Sequence, residues 1–144
     1  MRISNDAQAI IVKKKGSSFI FLVIKRFDKE KNEDHYRLVK GGIEKDENAK
    51  QAIIREISEE VGISDVKKIE FLSRYKYVGG DIQHKVDVFI VYTNQGDNIK
   101  IDSAEEGGFT IKNAVWMTGE EAIKKLNFKE EKDLIAAALA KLNP

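Results

Sequence analysis

Residues 39–63, VKGGIEKDENAKQAIIREISEEVGI, constrain this chain more than any other stretch, because complete helix-boundary signals surround a charge pattern that an isolated helix resists. Asn48 and Gln51 have capping-box spacing, and Gly62 suits the left-handed residue that ends a helix. The spacing predicts a helix from Asn48 to Val61. At about 100° per residue, Ile53, Ile54, Ile57 and Val61 spread over one face and need a core to pack against. Glu56, Glu59 and Glu60 fill the adjoining arc and, with Ala49 and Ala52, border that apolar face rather than pointing to bulk water. Glu56 repels Glu60 at i, i+4 and Glu59 at i, i+3 by roughly 0.2–0.5 kcal/mol per pair. All three lie toward the helix C-terminus, where the macrodipole disfavours anions. Arg55, four residues before Glu59, is the one local offset. A positive ligand would resolve the conflict.

Hard divalent cations fit that need. Mg2+ accepts carboxylate oxygens and waters and completes its shell with substrate phosphate. The glycine pair Gly41-Gly42 lets backbone approach a metal or a phosphate closely, and Lys40 just before it can meet a phosphate oxygen. A Glu-rich helix face is more often simply solvated, and clustered charge marks sites only statistically. The weight therefore falls on the spacing.

The rest of the chain narrows the chemistry. Its 144 residues suit one domain, residues 1–144. With 25 Lys and Arg against 24 Asp and Glu there is no broad basic field for nucleic acid, so any phosphate chemistry is local. The lack of cysteine excludes thiolate catalysis, Cys-ligated zinc, iron–sulfur clusters and disulfides. Two histidines alone make no zinc site. The start, MRISNDAQAI, lacks the apolar run of a signal peptide, and no stretch approaches the roughly 20 apolar residues of a membrane span. The expectation is a cytoplasmic protein with no membrane contact.

Along the chain, AQAIIVKK and FIFLVIKRF flank Gly16-Ser17-Ser18 and predict a hairpin. The polar loop DKEKNEDH leads to YRLVKGG, a short strand running into the glycine pair. KKIEFLSRYKYVG and HKVDVFIVYT around Gly79-Gly80-Asp81 predict a second hairpin. After the acidic loop DSAEEGGFTIKN come a strand, AVWM, and TGEEAIKKL, where Thr118 and Glu121 have capping-box spacing. A last helix carries an apolar stripe through Leu134, Ile135, Ala138, Leu139 and Leu142. The sum is an α+β fold, a mixed β-sheet with helices packed on it. His84 and Lys85, near the second turn, can reach a polyphosphate, although such a basic pair is more often solvated. Tyr75 and Tyr77 alternate on one strand face, suited to stacking a base or to cross-strand packing. Trp116 is expected in the core and His35 facing solvent.

Gly41, five residues, Glu47, seven residues, Arg55-Glu56-Ile57, one residue, Glu59-Glu60, one residue, then Gly62-Ile63 matches every fixed position of the Nudix box. On this motif the chain resembles the Nudix hydrolases, and its strand order is similar to the family's α/β/α sandwich. The resemblance implies hydrolysis of a diphosphate bond, as in a nucleoside diphosphate linked to another group, with Mg2+ or Mn2+ as activator. It implies that Glu56, Glu59 and Glu60 ligate metal, with the Gly41 carbonyl a further ligand, and that Arg55 and Glu47 brace the loop and orient those carboxylates. The general base varies in the family; Glu56, Glu59 and the late-loop Glu105 and Glu106 are the candidates. Lys40, Gly42, Tyr77, His84 and Lys85 are the candidate substrate-binding residues.

The segments YRLVKGGIEKDEN and HKVDVFIVY are similar to those of diadenosine polyphosphate and diphosphoinositol polyphosphate hydrolases, with Val39 where that group commonly has proline. The RNA 5′-pyrophosphohydrolases and the mutator-type nucleoside triphosphate pyrophosphohydrolases share the same core. A small-molecule nucleotide or polyphosphate is therefore the expected substrate, a dinucleoside polyphosphate favoured and an RNA 5′ end the alternative. A nucleotide-binding regulatory module would have little need for the full carboxylate set. Monomer and homodimer both fit. In this reading residues 27–37, 78–85 and 102–113 build the substrate pocket.

Overall fold

A computed structural model of the chain describes residues 1–96, 99, 105–106 and 109–143, excepting the side chains of 105, 106 and 109–112. The two β-rich runs of the first hairpin become β1 (Arg2–Lys15) and β2 (Ser18–Asp28). They are followed by β3 (Glu33–Arg37), β4 (Val39–Gly42), α1 (Ala49–Val61), β5 (Val66–Gly79) and β6 (Ile82–Thr93). The chain continues through β7 (Glu105–Glu106), β8 (Phe109–Met117), α2 (Gly119–Lys125) and α3 (Lys129–Leu142). The strands form one sheet in the order β5-β6-β1-β2-β8-β7, with β3 added on β2 and β4 on β1. β1 and β6 run parallel and the other pairs antiparallel, so the sheet is mixed.

β1 is buried on both faces from Asp6 to Val12, which accounts for its nearly unbroken apolar run. Alternation divides it between two cores. Ala7, Ala9 and Ile11 join Ala52, Ile53, Ile57 and Val61 of α1, while Ile10 and Val12 join Ala122 of α2 and Leu134, Ile135 and Ala138 of α3. The result is the α/β/α layering of an α+β fold. No helix among the described residues is long and apolar enough to cross a membrane.

Both capping boxes form. Asn48 Oδ1 accepts from Gln51 N and Gln51 Oε1 from Asn48 N, each at 2.8 Å, and Thr118 and Glu121 repeat the exchange at 3.1 Å. Gly62 ends α1 at φ 66°, a conformation costly for any residue with a Cβ.

Three elements differ from expectation. The buried stripe of α1 is Ala52, Ile53, Glu56, Ile57, Glu60 and Val61, while Ile54 is 48% exposed. The carboxylates displace an isoleucine from the buried side because the strand facing them carries glycine. The polar segment DKEKNEDH is mostly strand: β2 runs through Asp28 and β3 starts at Glu33. Asp28 Oδ1 accepts from the N–H groups of Glu30 (3.0 Å) and Lys31 (3.3 Å), and Asn32 takes φ 51°, so a tight turn replaces the expected loop. His35 is buried there, not solvent-facing, with Nε2 2.8 Å from Glu33 Oε1 and its ring edge-on to Phe128. The strand holding AVWM begins earlier, at Phe109, because it pairs along the full end of β2.

Candidate active site

The loop between β4 and α1 is folded around one guanidinium. Arg55 donates from Nε to Glu47 Oε2 and from Nη2 to Glu47 Oε1, each at 2.9 Å, a bidentate pair. Nη2 also donates to the Gly42 carbonyl at 2.9 Å, and Nη1 reaches Glu56 Oε1 at 2.8 Å and Glu59 Oε2 at 3.3 Å. Glu47 Oε1 accepts in addition from Glu44 N at 3.0 Å. These bonds, the Arg55 bond foremost, hold the Glu47 carboxyl down at about 2 and raise the guanidinium pKa further. Loop, strand end and helix are thereby tied at one point.

Gly41 pairs with Ala7 and faces α1, and a Cβ there would overlap the Glu56 carboxylate. Glu56 and Glu60 are buried, 8% and 7% exposed, one helical turn apart. Burial pushes the Glu56 pKa up, against the pull of Arg55, with Glu59 adding to the rise. The Glu59 side chain is 60% exposed. Among the described residues no three acidic or histidine side chains converge on one point. The donor chemistry nevertheless fits a hard cation: a buried pair of carboxylates, a glycine backbone against one of them, and a third, largely exposed carboxylate on the same helix. Glu105 and Glu106 form β7, and their side chains lie outside the described residues.

The substrate-binding candidates divide between the two faces of the sheet. Lys40, one residue before Gly41, pairs with Gln8 and points to the α3 side. There a cavity of about 390 Å3 is lined by Arg37, Lys40, Tyr75, Tyr77, Phe128 and Glu131. Lys40 Nζ contacts the Tyr77 hydroxyl and lies 4.4 Å from the ring centroid. Tyr77 stacks on His84 at 4.5 Å with 4° between planes, and on Tyr75 at 6.2 Å. His84 Nδ1 is 2.7 Å from Asp6 Oδ2, so this histidine is engaged rather than merely solvated. Lys85 points to the α1 side, into a second cavity of about 560 Å3 bordered by Glu47. A larger cavity of about 840 Å3, between β2, β8 and α3, contains none of these residues.

One buried network escaped the sequence reading. Glu131, 2% exposed, accepts from Gln8 Nε2 (2.7 Å), Leu38 N (3.0 Å) and Arg37 Nε (3.1 Å), and Tyr75 donates to Gln8 Oε1 at 2.7 Å. Burial raises the Glu131 pKa despite Arg37. The signal was present, since Glu131 stands three and four residues before Leu134 and Ile135, in phase with the apolar stripe. Trp116 is only partly buried, under Lys13 Nζ at 4.5 Å.

With box, brace and sheet in place, the chain belongs to the Nudix family: the NUDIX domain matches residues 4–139. Among solved structures it resembles a C. elegans Ap4A hydrolase in a binary complex (TM-score 0.76, 22% identity, 96% of this chain and 97% of that one). It resembles equally a MutT protein from Methanosarcina mazei Go1 (TM-score 0.75, 18% identity, covering 99% and 97%). The Nudix domain of Shewanella oneidensis NrtR complexed with ADP ribose is as similar (TM-score 0.77, 15% identity, covering 99% and 90%). At these identities the likeness is one of fold. No curated protein matches the chain.

Proposed function

We propose that residues 1–144 act as one Nudix domain that hydrolyses a diphosphate bond in a nucleotide-type substrate, a dinucleoside polyphosphate favoured, with Mg2+ or Mn2+ as cofactor. One observation carries the reading: Glu56 and Glu60 are buried side by side against a glycine strand and braced by the bidentate Arg55–Glu47 pair. Neighbouring buried carboxylates persist only with a proton or a cation between them. Glu56, Glu60, the Gly41 carbonyl and Glu59 would hold the ion. A divalent cation in that position supplies acidification of water and charge neutralisation on the diphosphate.

The chain's own groups do the rest. Glu59, open to solvent, takes the proton of the attacking water as its oxygen bonds to phosphorus and the bridging P–O bond breaks, leaving two phosphate-terminated products. Such proton removal contributes about 10²- to 10⁴-fold. Arg55 and Glu47 keep Glu56 aimed, and Lys40 meets a non-bridging phosphate oxygen. Tyr77, with Tyr75 and His84 behind it, offers a stacked aromatic wall for a nucleobase, which supports a nucleoside-bearing substrate over a bare phosphate ester. The fold likeness to a C. elegans Ap4A hydrolase points the same way.

The test is turnover of diadenosine polyphosphates, nucleoside triphosphates, nucleotide sugars, ADP-ribose, diphosphoinositol phosphates and 5′-triphosphate RNA, with Mg2+ and Mn2+, beside Glu60→Gln. The expected result is metal-dependent cleavage of the diadenosine polyphosphates, abolished in a folded Glu60→Gln protein. Activity retained by Glu60→Gln in metal-replete buffer sinks the ligand assignment. Nucleotide binding with no cleavage of any substrate makes the chain a regulatory module instead.

A further inference from the structure

The buried Glu131 network sits where the chain changes partner strand. β3 lies on β2 and β4 on β1, and the crossing between them falls at Leu38, which is buried and belongs to neither strand. A buried backbone that leaves one ladder for another must place its polar groups elsewhere. Leu38 gives its N–H to Glu131 Oε2 at 3.0 Å. The same oxygen accepts from Gln8 Nε2 at 2.7 Å, and Gln8 stands opposite Lys40 in the β1–β4 register. Glu131 Oε1 holds Arg37, the last residue of β3, at 3.1 Å. One carboxylate of α3 thus grips the chain on both sides of the crossing.

The crossing leads directly into the front of the candidate site, since Lys40 and Gly41 follow Leu38 closely. Gly41 is pressed so close to Glu56 that a methyl group does not fit between them, so β4 has little latitude there. Through Gln8 the grip extends to Tyr75, whose hydroxyl donates to Gln8 Oε1 at 2.7 Å and whose ring stacks behind Tyr77. Stability alone does not call for a charge at this point, because apolar side chains of similar volume often replace a buried ion pair without loss. Directional acceptors do what apolar packing cannot: they fix a backbone in register as well as in depth, the kind of support that holds a functional group in place.

We propose that Glu131 is a positioning residue, which fixes the crossing at Leu38 and thereby the places of the Lys40 ammonium and the Gly41 carbonyl relative to Glu56. That this serves catalysis rests on the hydrolase reading; that Glu131 sets the place of β4 does not. At 2% exposure Glu131 acts through Leu38 and Gln8 rather than on a ligand.

The test compares Glu131→Gln, Glu131→Met and Leu134→Ala with the wild type. Glutamine keeps an oxygen for Leu38 and Gln8 and releases Arg37, whose side chain already reaches solvent. Methionine keeps the length and removes the carboxylate. Leu134→Ala loosens the packing of α3 while leaving the three bonds to Glu131 in place, and is the stability control. The first arm reads backbone amide exchange by NMR. In Glu131→Met the amides of residues 38–42 should exchange at least about tenfold faster relative to the rest of the sheet, the value of one bond to a charged group. In the other two variants that ratio should stay as in the wild type. The second arm measures kcat for diadenosine tetraphosphate with Mg2+, well below each melting temperature. It should fall about 10- to 100-fold in Glu131→Met, the range for a residue that orients a ligating group, and hold in Glu131→Gln and Leu134→Ala. A merely structural Glu131 would lower the melting temperature and leave kcat and the exchange ratio unmoved. An even rise in exchange over the whole sheet, or none at 38–42, overturns the proposal whether or not any substrate is cleaved. A loosened crossing with kcat intact overturns its catalytic part. A wild type that cleaves nothing ends the hydrolase reading, and the exchange arm still decides the role of Glu131. If Glu131→Met does not fold, Glu131→Asp, which draws the carboxylate back by one methylene, takes its place with the same expected direction in both arms.

Discussion

Replacing Gly41 by alanine should separate activity from stability. Gly41 is not among the glycines with positive φ, which are Gly16, Gly62 and Gly80, so alanine meets no backbone strain. Its methyl group would overlap Glu56 Cδ and Oε1 and lie 2.6 Å from Oε2. The nearest of these atoms lie at 2.1 Å and ordinary contact begins near 3.5 Å, so the carboxylate must retreat by about 1.4 Å, and only the far end of a flexible side chain has to move. The loss is the Arg55–Glu56 bond, about 1.5–3 kcal/mol for a charged pair. About 0.4–1 kcal/mol returns from the stiffer unfolded chain. The net cost is about 1–2 kcal/mol. For 144 residues the unfolding entropy is about 300 cal/mol/K, so the melting temperature should fall by about 3–7 °C. Turnover should fall about 100-fold, because displacement of a ligating group by about 1 Å is enough to do so. Circular dichroism melting and a phosphate-release assay with Mg2+ read the two effects. Unchanged turnover would refute the placement of Glu56 at the reacting centre, and a drop beyond about 15 °C would refute the claim that only its carboxylate yields.

Three other outcomes follow from the same contacts. The Glu47 carboxyl is held at about 2, below its ordinary 4.5, so its pairing with Arg55 stabilises the fold above pH 4.5 and is lost as pH falls through about 2; Glu47→Gln should flatten the acid limb of a stability–pH profile over that window. Glu131→Ala strands Arg37, Gln8 and the Leu38 N–H in a buried site, and should cost about 3–5 kcal/mol, or about 10–17 °C in melting temperature; urea denaturation showing under 1 kcal/mol would mean water replaces the carboxylate. Tyr77→Ala should raise KM about 5- to 150-fold with little change in kcat, the value of one stacking contact of about 1–3 kcal/mol; an unchanged KM for a nucleoside substrate would remove the base from this cavity.

The sequence was most legible where rules are local. Capping boxes at Asn48 and Thr118 depend on side chains three residues apart, and both formed as their spacing predicts. The Nudix box likewise spans one loop and one helix, so Arg55, Glu47, Glu56 and Gly41 come together with no information from afar. What failed depends on partners distant in sequence. Ile54 is as apolar as Ile53, and only the glycine strand across from α1 decides that Glu56 rather than Ile54 turns inward. Glu131 is in phase with the apolar stripe of α3, but its partner Gln8 comes from the other end of the chain and donates to it at 2.7 Å. His84 and Lys85 read as one basic pair, but strand alternation sends them to opposite faces, one to an aromatic stack and the other to a lysine. Pairing register sets that difference, and it is a property of two strands rather than of either.

Consistency between local preference and global fold holds nearly everywhere in this chain, and its breaches are few enough to compare. Glu131 breaks the apolar stripe of α3 but is repaid in full by three donors. Glu56, buried in α1 one turn from the buried Glu60, has a guanidinium shared with Glu47 and Glu59. Lys76 of β5 and Lys85 of β6, directly opposite each other, have no counterion among the described residues. The two unbalanced breaches are opposite in sign and lie on either side of one loop, joined through the Arg55–Glu47 pair that contacts both surroundings. Neither would be stabilised by a ligand of the other's kind: a cation alone leaves the lysines opposed, and an anion alone leaves the carboxylates crowded. Under the proposed function a divalent metal bound to the substrate's phosphates would satisfy both at once, so the two breaches call for one ligand of mixed charge.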